Sequence, residues 1–343
     1  MQPNTNRISS LLKYLQVILF SAMLLYFGKT LFIPLFFGLL IAIVMYPICK
    51  WLEQHGWGKP LAITLCLLIV AVLFAGLLAL LVWQVKTFSK DVPGMINRLE
   101  ASVHEFQKWM AVNFGAVNNI QYNWGEKLTG AVSSALQSTL KTTVSTLFIL
   151  FLTPVYTALF MYHRKVFVQY LKSITPATYQ QPLDAILQQT IHTYFNYIKG
   201  MILVYLLVGI LNSIGLLVLG VKHAILFGML CAIMTIIPYA GIFVSALLPI
   251  AVVWMDTGNV WYPVAVIMIF SFVQYLEANV IFPKVVGTQL NVSTFAMLVA
   301  IIAGGIIWGV AGMVLFIPFV AILKIVSENI KEWEPLNLLL SRK

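Results

Sequence analysis

The sequence predicts an all-α polytopic membrane protein with about six full spans plus two broken or re-entrant hairpins, eight spans in the conventional count. Three observations predict it. Of 343 residues, 61% are hydrophobic and only 9% charged, where about 25% charged is usual in a soluble domain. So few charges cannot cover the exterior of a water-soluble chain, which would be one adhesive patch. Apolar runs of about 20 residues, the length that crosses a bilayer as a helix, recur along the chain. Two longer apolar stretches are interrupted by proline or glycine, and backbone that leaves the helix at membrane depth is tolerated only inside protein or beside a water-filled cavity.

The runs follow in order. Leu11–Phe27 and Thr30–Cys49 are read as the first two spans, with Gly28-Lys29 as the turn between them, and Leu61–Trp83 as the third. The first run is long and lacks a small-residue cleavage site before a polar chain, so a retained span is expected rather than a leader. Thr143–Tyr162 is the fourth, with a kink expected at Pro154, Gly200–Leu219 the fifth and Val260–Phe282 the sixth. Ala224–Met255 is broken at Pro238-Tyr239-Ala240-Gly241, and Ser293–Val326 carries Gly304, Gly305, Gly309 and Gly312. Each reads as two short helices, either re-entrant or spanning. Two polar elaborations interrupt the series. In Gln84–Thr142, Ile96, Leu99, Val103, Phe106 and Met110 recur at helical spacing between charged residues, and Leu128, Val132, Leu136 and Leu140 follow. That segment packs either on the membrane surface or against another subunit. Before the fifth span, Leu183, Ile186, Leu187, Thr190, Ile191 and Tyr194 form one face of a cytoplasmic interfacial helix starting near Pro182. The organisation expected is therefore N-terminal spans over 1–83, amphipathic extramembrane helices over 84–142, the fourth span and interfacial helix over 143–199, a C-terminal transport core over 200–326 and a cytoplasmic tail over 327–343.

Charge sets orientation. The net charge is +10, from 21 Lys+Arg against 11 Asp+Glu. The bases lie between apolar runs and form no aromatic-interleaved stripe, so topology explains them better than a nucleic-acid partner. With the N-terminus inside, the inner side receives Arg7, Lys13, Lys50, Lys59, Arg164, Lys165, Lys172, Lys199, Lys284, Lys324, Lys331, Arg342 and Lys343, and short outer loops only Lys29 and Lys222. With six full crossings, both termini are cytoplasmic when each broken stretch returns to the side it came from; the two then enter the bilayer from opposite faces, a recurring transporter plan. Cys49, Cys66 and Cys231 show no CxxC spacing and read as buried packing residues.

Polar groups inside apolar runs are the candidates for function, because each is costly in lipid. Glu277 is the acidic residue inside a clear span, in Gln274-Tyr275-Leu276-Glu277-Ala278-Asn279, with Gln274 and Ala278 on its helical face. It reads as a proton or cation carrier, or, structurally, as a carboxylate near the inner end of the span that snorkels or, if Pro283 bends the chain, pairs with Lys284 two helical turns on. Asn279 points away from Glu277 in a regular helix, so a shared site needs unwinding before Pro283, with Gly287 allowing a sharp turn. Thr235, Pro238 and Gly241 mark a helix break whose partial charges can face a polar solute. Gly305 and Gly309 form a small-xxx-small pair, and Pro318 stands in the last apolar stretch. No metal site, cofactor or enzyme chemistry is expected. His55, His104, His163, His192 and His223 show no i,i+4 spacing, and neither a GxSxG elbow nor a P-loop is present.

These motifs carry a resemblance. Ile236-Ile237-Pro238-Tyr239-Ala240-Gly241 followed by Pro249, Glu277-Ala278-Asn279-Val280-Ile281-Phe282-Pro283-Lys284-Val285-Val286-Gly287, and Gly304-Gly305, Gly309, Gly312 and Pro318 resemble the autoinducer-2 exporter family, also called PerM-like permeases. The resemblance covers nearly the whole chain. It implies a secondary transporter without an ATPase domain, located in the bacterial cytoplasmic (inner) membrane. Members have been assigned export of the quorum-sensing signal autoinducer-2, others sodium/proton antiport, and they assemble as homo-oligomers, pentamers among them. It attaches family positions to Pro238, Gly241, Glu277, Asn279, Pro283, Gly287, Gly304, Gly309 and Gly312. Three functions stand at this point. The first is an exporter of a small polar organic solute such as autoinducer-2, the second a sodium/proton antiporter. The third is a non-transporting membrane scaffold using Gln84–Thr142. The expected partners are the solute or ion, the bilayer and further copies of the chain.

Overall fold

The computed structural model describes residues 19–77, 151–237, 240–259, 261–286 and 289–342, together with Gln16, Val17, Ala79, Leu80, Trp83, Gly94, Val112 and Ile149. Apart from Gly94 and Val112, the amphipathic helices expected over Gln84–Thr142 lie outside the described residues, as do Pro238 and Gly287. The described residues are helical, joined by short turns, and Val292 and Ser341 form an isolated antiparallel bridge. Five stretches are long and apolar enough to cross a membrane: Lys29–Gln54, Lys59–Leu77, Ala177–Val218, Trp261–Val285 and Val310–Asn329. The chain is a polytopic all-α protein.

The chain divides into two compact units. The first gathers the described parts of Met1–Leu68, Ser145–Tyr197 and Gln289–Lys343. It begins with α1 (residues 19–27) and α2 (Lys29–Gln54). The turn expected at Gly28 is not a reversal. Gly28 has φ −84° and ψ 12°, its N–H bonds to Leu24 O at 2.9 Å, and its own carbonyl accepts from Phe32 at 2.9 Å. These i,i+4 bonds carry one bent helix through the glycine, because a chain cannot turn back on itself while keeping them. At the bend the Leu25 carbonyl accepts the Trp308 indole N–H at 2.9 Å. Around that bond Ile33, Trp308 and Leu315 are buried against Phe32, Phe36, Phe316 and Phe319. Helix α3 (Lys59–Leu77) follows. Helix α4 (residues 151–174) runs on past the expected end at Tyr162. Gly38 lets α2 touch α4 directly, since a Cβ there would lie 2.7 Å from Tyr156 Cβ and 3.1 Å from Thr153 O. Arg164 of α4 pairs with Glu53 of α2 and lies 5.3 Å from the centre of the Tyr46 ring.

Helix α5 (Gln180–Val218) also differs from expectation. The interfacial helix and the fifth span, expected to separate near Lys199-Gly200, are one helix of 39 residues. At 1.5 Å per residue it is about 58 Å long, well beyond a hydrocarbon core of about 30 Å. Gly200 stays helical and serves packing: a Cβ would meet Val285 O at 3.0 Å.

The second broken stretch folds into α10 (Thr294–Trp308) and α11 (Val310–Asn329), joined by Gly309 alone at φ 62°. A Cβ on Gly304 would sit 2.3 Å from Gly312 O, and one on Gly312 would sit 1.9 Å from Gly304 O. Residues eight apart in one straight helix would stand about 12 Å apart, so the contact shows that the chain doubles back. The pair that packs is thus Gly304 with Gly312, not Gly305 with Gly309. Gly305 faces Met313, and Gly309 is the turn. Pro318 is buried within α11, and its carbonyl accepts the hydroxyl of the fully buried Tyr194. Lys324, 4% exposed, pairs with Glu328, which also accepts from Gln189 of α5 at 3.4 Å. The segment expected as a tail is anchored: α12 (Glu334–Leu340) returns so that Leu340 O accepts Ser293 N–H at 2.6 Å and Leu339 O accepts the Ser293 hydroxyl at 2.8 Å. Leu290, Val292, Ala296, Ala321 and Leu340 close a core there.

The second unit gathers the described parts of Ile69–Val144 and Ile198–Thr288. Beyond the C-terminal part of α5 it holds α6 (Ala224–Met234), α7 (Ala240–Thr257), α8 (Trp261–Leu276), a π-helical turn (Glu277–Ile281) and α9 (Phe282–Val285). The first broken stretch is thus two helices. Gly241 is buried against the end of α6, where a Cβ would fall 1.7 Å from Met234 O. Large apolar side chains such as Phe243, Met268 and Phe272 face outward, the pattern of a surface solvated by lipid.

Three substitutions test this packing. Gly304→Val should wedge α10 from α11 and lower the melting temperature of the protein in detergent, by the roughly 1–3 kcal/mol typical of overpacking or more. Gly76→Ala, with nothing within 4 Å of its Cβ position, should leave it unchanged. Tyr194→Phe, which removes the donor from the Pro318 carbonyl, should cost about 1–2 kcal/mol, read by the same melts.

Candidate functional site

The candidate site lies in the second unit, where α5 meets α6. Val204, Val208, Asn212 and Leu216 recur every four residues along one face of α5, and all are buried. This face can approach α6 closely because both helices carry glycine at the contact. A Cβ on Gly209 would meet Ala232 Cβ at 2.9 Å, and one on Gly228 would meet Ser213 Oγ at 2.0 Å and Gly209 O at 2.7 Å. Backbones this close bring short polar side chains across the gap. Asn212 donates through Nδ2 to Val208 O at 3.0 Å and to Cys231 Sγ of α6 at 3.5 Å.

Cys231, which takes that second bond, is itself only 1% exposed. Thr235 stands where α6 ends and donates to Cys231 O at 2.8 Å. Ser245 of α7, fully buried, donates to Ile242 O at 2.9 Å. The side-chain oxygens Asn212 Oδ1 and Glu277 Oε2 are buried without a hydrogen-bond partner, and no others among the described residues share that state. Asn212 is 2% exposed and Glu277 8%. An orphaned buried oxygen costs about 1–3 kcal/mol. Lys199, Lys222 and Lys284, the lysines among described residues 198–286, are exposed, so no buried base offsets these oxygens. Lys284 forms no ion pair with Glu277 among the described residues, which removes the structural pairing that the spacing allowed.

Glu277 opens the π-helical turn, in which Phe282 N–H bonds back to Glu277 O. Pro283, exposed, sits in α9 just after it. Unwinding thus occurs before the proline, yet it does not bring Asn279 to Glu277. Asn279 is exposed and donates to Tyr275 O of its own helix at 2.9 Å. Gln274 is half-buried one turn before Glu277. Gly241 and Thr235 meet at the end of α6, where the Gly241 Cβ position is 3.1 Å from Thr235 N. Gly304, Gly305, Gly309, Gly312 and Pro318 belong to the other unit. Sequence reasoning missed Asn212. Its signal was an amide in the middle of the fifth apolar run, Leu211-Asn212-Ser213, and such a residue is subject to the same cost that singled out Glu277.

Comparison with known proteins accords with a membrane carrier. YrrI of Bacillus subtilis (strain 168), a candidate transport protein, is 26% identical over 313 residues, spanning 87% of this chain and 86% of its own. YhhT of Escherichia coli (strain K12), also a candidate transport protein, is 23% identical over 342 residues, covering 99% of this chain and 96% of its own. The AI-2 transport protein TqsA of Escherichia coli (strain K12) is 22% identical over 324 residues, covering 92% and 90%. The family model for AI-2E family transporters matches residues 15–332, and the chain belongs to that family.

Proposed function

We propose that the protein is a secondary transporter that exports a small polar organic solute, such as the autoinducer-2 signal, past Glu277. The observation that carries this reading is the Glu277 carboxyl, 8% exposed in an apolar helix and with Oε2 unpartnered. An intramembrane ionisable group that is not holding the fold together is a pathway residue by default. The likeness to TqsA supports autoinducer-2 as cargo. Thr235 and Gly241 would line the route at the end of α6, with Gln274 one turn before the carboxyl, and movement of α6 and α7 about their break would alternate access. This reading puts the chain in the bacterial cytoplasmic membrane as a homo-oligomer. Arg7 and Lys13 near one end and Arg342 and Lys343 at the other favour cytoplasmic termini.

Cells lacking the protein should retain autoinducer-2, and the wild-type gene should restore its release. Glu277→Gln should slow release by about tenfold or more, a loss of at least roughly 1.4 kcal/mol of differential binding. Asn279→Ala should change it little, because that amide already bonds to its own helix. Wild-type release from Glu277→Gln would remove Glu277 from the pathway.

The same carboxyl favours one further reading, a sodium/proton antiporter in which Glu277 exchanges the two cations. Proteoliposomes with an internal pH dye should then respond to external sodium, and the response should vanish in Glu277→Gln. A silent dye excludes antiport.

A further inference from the structure

The corner where α2 ends, α3 begins and α4 passes combines charge and aromatic rings in a way that transport past Glu277 leaves unused. Two contacts tie the three helices to one level. Arg164 of α4 pairs with Glu53 of α2, and Lys59 at the start of α3 donates to Tyr162 O of α4. Glu53 is the one acid in residues 46–60 and 155–168, and Arg164 takes it up. Lys50, Lys59 and Lys165 make no ion pair among the described residues, so three positive charges stand at this corner without a carboxylate. Lys59 is the most firmly held. Its Nζ lies 4.9 Å from the centre of the Tyr162 ring, an ammonium seated on an aromatic face. Of its three N–H donors one goes to Tyr162 O, which leaves two for a ligand.

Trp51, Trp57 and Tyr162 are exposed at the same corner. Such rings collect at the headgroup level of a bilayer, where one edge is wet and the other apolar. Apolar surface leads away from them along α4. Phe151, Val155, Leu159 and Tyr162 follow at spacings of four, four and three on one helical face, and all are exposed. At 1.5 Å per residue this stripe rises about 16 Å, close to one leaflet of a hydrocarbon core about 30 Å thick. Leu61 and Leu68 of α3 are exposed seven residues apart in the same manner. Cations and stripe meet at Tyr162, whose carbonyl and ring hold Lys59 and whose side chain ends the stripe. A soluble anion would use the cations alone. A phospholipid uses both parts, with its phosphate on the lysines and an acyl chain along the helix.

We propose that this corner is a binding site for an anionic phospholipid, with Lys59 holding the phosphate, Lys50 and Lys165 supplying further positive charge, and the α4 stripe from Tyr162 to Phe151 bearing an acyl chain. The site belongs to the first unit, whereas Glu277 belongs to the second, and it does not depend on what the protein carries.

Full-length protein in neutral detergent micelles is melted with phosphatidylglycerol, phosphatidylcholine or inorganic phosphate added. Phosphatidylglycerol should raise the melting temperature at the lowest concentration, and phosphate should not raise it. Lys59→Gln should weaken the phosphatidylglycerol response about fivefold, the effect of one lysine at an anionic surface, and adding Lys165→Gln should weaken it further. Lys331→Gln, which removes an exposed lysine beside Glu332, should leave it unchanged. Wild-type protein gives a second readout: phosphatidylglycerol with a photoreactive headgroup should label residues 50–59 and 162–165, located by mass spectrometry. The inference is overturned by equal stabilisation from phosphatidylcholine, by inorganic phosphate matching the lipid, or by Lys331→Gln losing as much as Lys59→Gln. An undiminished response in a folded Lys59→Gln/Lys165→Gln protein, or label absent from both segments, overturns it as well.

Discussion

Direct backbone contact at glycine is the constraint on which the other features depend. Between two helices in a bilayer, burying apolar side chains gains little, because lipid tails are as apolar as leucine, so close fit and interhelical hydrogen bonds hold helices together. The sharpest features of both units rest on such contacts. Gly304 lies against Gly312, Gly241 against the Met234 carbonyl, and Gly209 against Gly228, each with no room for a Cβ. The last of these sets the polar cluster. Only because α5 and α6 touch backbone to backbone can a side chain as short as asparagine span from one to the sulfur of the other.

The same closeness separates polar groups that hold the fold from those that do not. Thr153, Thr157, Ser213 and Thr257 each donate to the carbonyl four residues earlier, the self-contained arrangement expected where water is absent. Lys324 is buried and satisfied through Glu328. Against that background two buried, unmatched oxygens are conspicuous, and both stand in the unit that contains the broken α6–α7 pair and the π-helical turn. Such turns are short because an i,i+5 ladder packs poorly, and they recur where a helix serves something besides its own stability.

Much of this was legible in the sequence, where periodicity and cost act locally. The fold class follows from composition, the run lengths from bilayer thickness, and Glu277 from the penalty on a carboxyl in lipid. The breaks at Gly241 and Gly309 follow from proline and glycine inside apolar stretches. What escaped depends on partners far along the chain. Gly28 reads as a turn until Trp308, 283 residues from Leu25, is seen to take the carbonyl that the bend releases. The glycine register of α10 and α11 is fixed by where the hairpin turns, and a one-residue turn at Gly309 pairs 304 with 312 rather than 305 with 309. The continuity of α5 through Gly200 is a packing decision, since that glycine accommodates Val285 rather than ending a helix. Asn212 was overlooked for a different reason. An uncharged amide stands out less than a carboxyl in an apolar run, although its burial cost is of the same kind.

Asn279 shows how a helical wheel can mislead next to a proline. Pro283 has no N–H for the carbonyl four residues before it, so the ladder must rearrange in this turn. The expectation was that rearrangement would draw Asn279 toward Glu277. The chain instead widens into an i,i+5 bond from Phe282 to Glu277, and the Asn279 amide turns back to Tyr275 O on the exposed side. The widened turn leaves Glu277 as the inward-facing group of this segment and removes the neighbour that would have satisfied it. A buried carboxyl oxygen left without that near partner costs the folded chain about 1–3 kcal/mol.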